Sequence, residues 1–100
     1  METPLERLNV KICTGLLHDK FKAHHGNTTL DLELIEVEDR QRPRQEIFLL
    51  HFRGPAAPLL PQKIYRMEHE KLGDVFIFLT AVERDAQGVI YEAVFNRVKQ

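Results

Sequence analysis

The chain has 100 residues, 43% hydrophobic and 29% charged, with a formal net charge of −1 and one cysteine. That length bounds a single domain, residues 1–100, with one modest core, and the near-zero charge argues against the field that gathers nucleic acid or an anionic membrane. A lone Cys13 excludes an internal disulfide and suits a reducing cytoplasm.

Thr3-Pro4-Leu5-Glu6 reads as a helix start. Thr3 is placed to cap, Pro4 suits the first helical position, and Glu6 is the capping-box partner. Leu5, Leu8 and Ile12 then share one face, and Gly15 is a plausible stop. The spacing predicts a short helix over residues 4–13, followed by a strand through Lys20–His24; the alternative continues the helix through Leu16 and Leu17 to Phe21. The opening residues, with Glu2 and Glu6 and no apolar core, do not read as a signal peptide. No apolar run approaches the roughly 18 residues of a membrane span.

Gly26-Asn27 marks a turn, and Leu30-Asp31-Leu32-Glu33-Leu34 alternates as a half-buried strand should. The alternation slips at Leu34-Ile35 and resumes, as a β-bulge would make it. Glu38–Glu46 is a polar, mobile loop. Ile47–Phe52 is the next strand, apolar on both faces, and Arg53–Pro58 a stiff turn-rich loop. Lys63–His69 follows as a strand with Tyr65 and Met67 on one face, then a turn over Glu70–Asp74.

The last quarter carries the strongest fold signal. Val75–Val82 and Val89–Arg97 are rich in β-branched and aromatic residues, and they flank a polar turn at Asp85–Gly88. This is the pattern of a β-hairpin. Its first strand is apolar on both faces and is expected to be central and covered on both sides. Phe76, Phe78, Val94 and Phe95 are expected in the core.

Leu30–Val37, Phe52-Arg53-Gly54-Pro55, Leu60-Pro61-Gln62 with Tyr65, Glu68-His69 with Leu72-Gly73, Phe78-Leu79 and Tyr91–Arg97 together resemble an uncharacterised family of small bacterial β-rich proteins, a domain of unknown function. The resemblance covers nearly the whole chain. It implies a small β-rich domain with no assigned activity, cofactor or catalytic residue, and an association with phage-tail-like structures. The Arg40–Arg44 loop and Cys13 stand outside it and are particular to this chain.

Residues that could carry chemistry are few. His24 and His25 are adjacent and on a strand point to opposite faces, while His18, His51 and His69 are scattered without ligand spacing; His51 and His69 would have to meet across paired strands. No metal site and no cofactor is therefore expected. Cys13 lies beside an apolar helical face as a structural thiol. Asp31, Glu33, Glu36 and Glu38 alternate with apolar residues as a solvated strand face. Arg40, Arg42 and Arg44 could grip phosphate, but Glu36, Glu38, Asp39 and Glu46 flank them, and nucleic acid is not expected as a partner. Arg53 and Arg97 each follow an aromatic residue near a strand end; with Glu68 or Glu92 as partner they either latch the barrel end or line a shallow polar site there.

The expected fold is mainly β: a six-stranded antiparallel meander forming a small barrel or curled sheet, with one short N-terminal helix over one end. The expected function is a non-enzymatic protein-interaction or assembly module, cytoplasmic, whose partner is another protein or a second copy. Its candidate surface is a strand edge or the end built from Arg53, Pro55, Pro58, Leu59, Leu60 and Arg97. Leu59 and Leu60 are either contact residues or a plug for that end. A small-ligand-binding β-barrel and an enzyme of unrecognised type are the alternatives.

Overall fold

The computed structural model describes residues 8–98. One helix, α1 (Val10–Thr14), precedes six strands: β1 (Lys20–His25), β2 (Thr28–Asp39), β3 (Gln45–Gly54), β4 (Lys63–His69), β5 (Gly73–Asp85) and β6 (Gly88–Val98). All neighbouring strands are antiparallel. The sheet closes on itself in the order β1-β2-β3-β6-β5-β4. It is thus two three-stranded meanders rather than one. Hairpins build β1-β2-β3 and β4-β5-β6, and the halves join where β3 meets β6 and β4 meets β1.

That order decides the role of the β3–β4 connection. β3 and β4 lie opposite each other in the ring, so residues 55–62 must cross its end. We call that end, shared with the β1–β2 and β5–β6 turns, the top. The β2–β3 loop, the β4–β5 turn and the end of β6 lie at the bottom. The N-terminal segment packs there too: Leu8, Cys13 and Leu16 are buried in the single core cluster. α1 is shorter than the expected helix and starts later. Its cap is Asn9, whose Oδ1 accepts from the Ile12 N–H at 2.8 Å. Ile12 is left partly exposed while Cys13 turns inward. The expected cap and first turn at Thr3–Glu6 lie outside the described residues.

Period-two burial explains the core. Phe21 and Ala23 from β1, Leu30, Leu32 and Leu34 from β2, and Tyr65, Met67 and His69 from β4 point inward. The expected bulge is present: the β2–β3 register shifts between Leu34 and Glu36, so that Leu34 and Val37 both face the core side. A second bulge in β5 lies between Ala81 and Glu83.

The expectation for β5 and β6 is corrected. β5 is not covered on both sides. Val75, Ile77 and Leu79 are buried, whereas Phe76 is 47% and Phe78 49% exposed. On β6, Tyr91 and Ala93 point in, Phe95 is partly buried and Val94 is 59% exposed. Pattern alone left both faces of β5 apolar, and burial selects the aliphatic one. The interior is already occupied by Phe21, Phe48, Phe52, Tyr65 and Tyr91, so the β5 positions that face it carry smaller side chains.

Candidate functional site: a cleft in the sheet

The six residues singled out from sequence do not form one surface. Arg53, Pro55, Pro58, Leu59 and Leu60 lie at the top, while Arg97 lies at the bottom, at the other end of the β3–β6 ladder: Arg53 pairs with Ile90, and Arg97 with Glu46. The shared polar site expected for the two arginines is therefore absent. Their expected partners are also engaged elsewhere, Glu68 by His24 and Arg66, and Glu92 by His51.

Each arginine is a latch. Arg53 Nη1 bonds both oxygens of Asp85, at 2.9 and 3.2 Å, and ties the β3 end to the β5–β6 turn. The Gln87 backbone N–H, the Arg53 bond and the Arg53 charge together hold the Asp85 carboxyl below its usual range. Arg97 joins Glu46 at 2.7 Å, donates to the Leu8 carbonyl, and lies over the Phe48 ring. In the crossing loop Leu59 and Leu60 divide the two roles weighed for them. Leu60 is buried, its N–H donating to the Tyr91 hydroxyl at 3.0 Å, and it plugs the top; Leu59 is half-exposed. Pro55 and Pro58 are exposed.

His18, His24, His51 and His69 bind carboxylates rather than each other, and His25 packs edge-on against Tyr65. His69 is buried, and its ring roles follow from its neighbours. Nδ1 accepts from the Lys71 and Leu72 N–H groups at 3.0 and 3.3 Å, so Nε2 carries the proton and donates to Asp19 at 2.8 Å. This braces the β4–β5 turn against the segment before β1. His51, on the outer face of β3, sits between Glu36 at 2.9 Å and Glu92 at 3.0 Å. His51 and His69 do not meet, because β3 and β4 are not neighbours. A hollow over β1 and β4 is lined by Lys20, Lys22, Asp31, Glu68, His69 and Glu70; Lys20, Glu68 and His69 make their ion pairs with residues outside that lining, Glu33, His24 and Arg66, and Asp19. Among the described residues no three His, Cys, Asp or Glu side chains gather as a metal site.

The feature that sequence reasoning missed lies between β5 and β6. The strands pair from the turn, Asp85 opposite Gly88, down to Thr80 opposite Glu92, and there the pairing stops. Below this point β5 stays with β4 as far as Gly73, and β6 stays with β3 as far as Val98. Residues 75–79 and 93–97 thus border a cleft, each along a strand edge that pairs with no other strand among the described residues. Inside, Phe95 stacks on Phe48 with ring centroids 4.7 Å apart and planes nearly parallel, which helps keep the lower half of β6 with β3.

The cleft holds about 310 Å³ and is lined mainly by apolar groups from Ile64, Phe76, Phe78, Val94 and Phe95. On the outer face, Val94 stands beside Leu49 of β3, and Phe78 beside Ile64 of β4, which is 63% exposed. The row above is polar, Glu36-His51-Glu92-Thr80; the His51 Nε2–Glu92 hydrogen bond ties β3 to β6 at the apex of the cleft, while Glu36 of β2 approaches Nδ1 at 2.9 Å without hydrogen-bond geometry. The signal for this site was in the sequence: β5 carries aromatic residues on the face opposite Val75, Ile77 and Leu79. Reading both faces as core concealed it.

The family described as a domain of unknown function (DUF6916) matches residues 8–95, which takes in β5 and β6 as far as Phe95. No curated protein and no solved structure matches the chain.

Proposed function

Because the chain belongs to the DUF6916 family, a domain of unknown function, we propose its role from its own geometry: a non-enzymatic protein-interaction module that takes an extended segment of another protein along the cleft between β5 and β6. The observation that carries this reading is the end of strand pairing at Thr80 and Glu92, with Phe76, Phe78, Ile64 and Val94 exposed on either side. An unpaired strand edge offers N–H and C=O groups to another chain. Outward aromatic and aliphatic groups next to it would hold alternate side chains of that chain. Apolar surface removed from water contributes about 25 cal/mol per Å², so even partial cover of two phenylalanines is a substantial gain.

Selection of random decapeptides displayed on phage, followed by chemical-shift mapping on the labelled protein, tests the proposal. Enriched peptides with alternating apolar residues, shifting Phe76, Phe78 and Val94 and lost on Phe78→Glu, are the expected result. Peptides that map to Leu59 and Pro58 instead would move the site to the top of the ring, and no enrichment would remove the proposal.

A small-ligand-binding barrel and an enzyme of unrecognised type draw less support. The ring interior is filled by Phe21, Phe52, Tyr65 and Tyr91, which leaves no enclosed room for a ligand there. We assign the protein to the cytoplasm on the strength of its single, buried cysteine; no helix among the described residues is long and apolar enough to cross a membrane.

A further inference from the structure

We infer that the cleft opens and shuts: the lower halves of β5 and β6 zip together by continuing the register formed above them, and the closed ladder excludes the occupant. This rests on the reading of the cleft given above and adds its regulation.

Thr80 opposite Glu92 is the last pair. Counting down from it sets Leu79 opposite Ala93, Phe78 opposite Val94, Ile77 opposite Phe95, Phe76 opposite Asn96, Val75 opposite Arg97 and Asp74 opposite Val98. The side chains are in phase for this ladder. Val75, Ile77, Leu79 and Ala93 are buried and Phe95 is partly so, while Phe76, Phe78, Val94 and Asn96 are exposed on the outer face. A one-residue slip would set inward side chains against outward ones, and the continued ladder needs none. Neither stretch contains proline or glycine, and no two charged residues fall opposite each other.

The backbones are in phase as well. Asp85 and Gly88 flank a two-residue turn, so their N–H and C=O groups face each other. On β6 those of every second residue then point the same way: Ile90, Glu92, Val94 and Asn96. Thr80 faces Glu92, so below it Phe78 and Phe76 also point their polar groups across. These groups aim into the cleft from both sides, at positions that oppose each other in the continued ladder. Closure pairs them and covers Phe95.

The lower part of β6 is anchored to β3 by the Phe95–Phe48 stack and the Arg97–Glu46 ion pair, below the His51–Glu92 bond at the apex. The moving side is therefore β5. A bulge between Ala81 and Glu83 bends it next to the last pair and serves as the hinge. β4 follows β5, because its seam with β1 runs only from Lys22 opposite Glu68 to His24 opposite Arg66.

Paired cysteines at the mouth test closure without any ligand. Asp74→Cys with Val98→Cys stand opposite each other in the closed ladder, about 5.5 Å apart at Cα and within disulfide range. Asp74→Cys with Asn96→Cys is the slipped control. All three positions are exposed, and the buried Cys13 stays in place. With diamide as oxidant, the opposite pair should lose its thiols within the monomer about tenfold faster than the control. Equal rates, or a faster control, overturn the inference and leave the cleft reading standing. A second arm reads exclusion. Asp74 and Val98 lie outside the cleft lining, so the reduced variant should bind a fluorescein-labelled octapeptide of alternating Thr and Val as wild type does. Anisotropy titration should show affinity at least about tenfold weaker for the oxidised form, restored by dithiothreitol. Unchanged affinity after complete crosslinking overturns the exclusion. No binding by wild type overturns the cleft reading, and closure then stands or falls with the crosslinking rates.

Discussion

Ile77 and Phe78 are adjacent apolar residues with opposite surroundings, and the contrast tests the inside–outside assignment of β5. Ile77 is buried and Phe78 half-exposed. Ile77→Ala should cost about 2–5 kcal/mol, whereas Phe78→Ala should cost less than about 1 kcal/mol despite removing more atoms. Urea midpoints of the two variants decide it, and the reverse order would put the aromatic face inside. Cys13 allows a second test at the residue scale. Burial pushes its thiol up to about 11, against the smaller opposing pulls of the Asn9 backbone and the Arg97 charge. The unfolded thiol ionises first as pH rises past roughly 8.5. This group's contribution to stability is therefore complete below that value and is lost as pH climbs towards 11. Denaturation midpoints of wild type and Cys13→Ser across pH 8–11 should show the wild type falling more steeply.

At the scale of elements, turns and bulges do the positioning. The β5–β6 turn works because Gly88 has φ of +134° and presses on β3: a Cβ there would lie 2.0 Å from the Gly54 carbonyl oxygen. Gly73, at φ +73° in open space, carries only the conformational demand. Gly88→Ala should thus destabilise by more than about 3 kcal/mol, and Gly73→Ala by about 1–2 kcal/mol. Thermal melts of the pair measure this, and equal losses would mean that the close approach to Gly54 is not maintained. The β2–β3 loop is tighter than its composition suggested, since backbone bonds at Arg40, Arg42 and Gln45 leave a short tip around Pro43.

For the whole molecule, the two joints between the meanders are unequal. β3 and β6 pair from Gln45 opposite Val98 to Gly54 opposite Val89, while β1 and β4 pair only from Lys22 opposite Glu68 to His24 opposite Arg66. The ring should therefore open first at the β1–β4 seam. Native-state hydrogen exchange at low denaturant should release protected amides of β1 and β4 at lower opening free energy than those of β3 and β6. Simultaneous release would show that the ring unfolds as one unit.

What the sequence determined is local. Alternation and turn chemistry located six strands, with β4 matching the expected Lys63–His69 and the bulge after Leu34 in its expected place, because period-two burial and glycine turns act over a few residues. It also bore the marks of the family, through motifs spread along the chain. Tertiary structure decided everything that depends on which strand lies beside which. The ring order sends residues 55–62 across the top, burying Leu60 and freeing Leu59, and separates Arg53 from Arg97. It turns Phe76 and Phe78 outward, since an interior filled by other aromatic residues has room only for the aliphatic face of β5. The candidate site arises at this level too: it is the place where β5 and β6 stop pairing, and no stretch of either strand records where its neighbour departs.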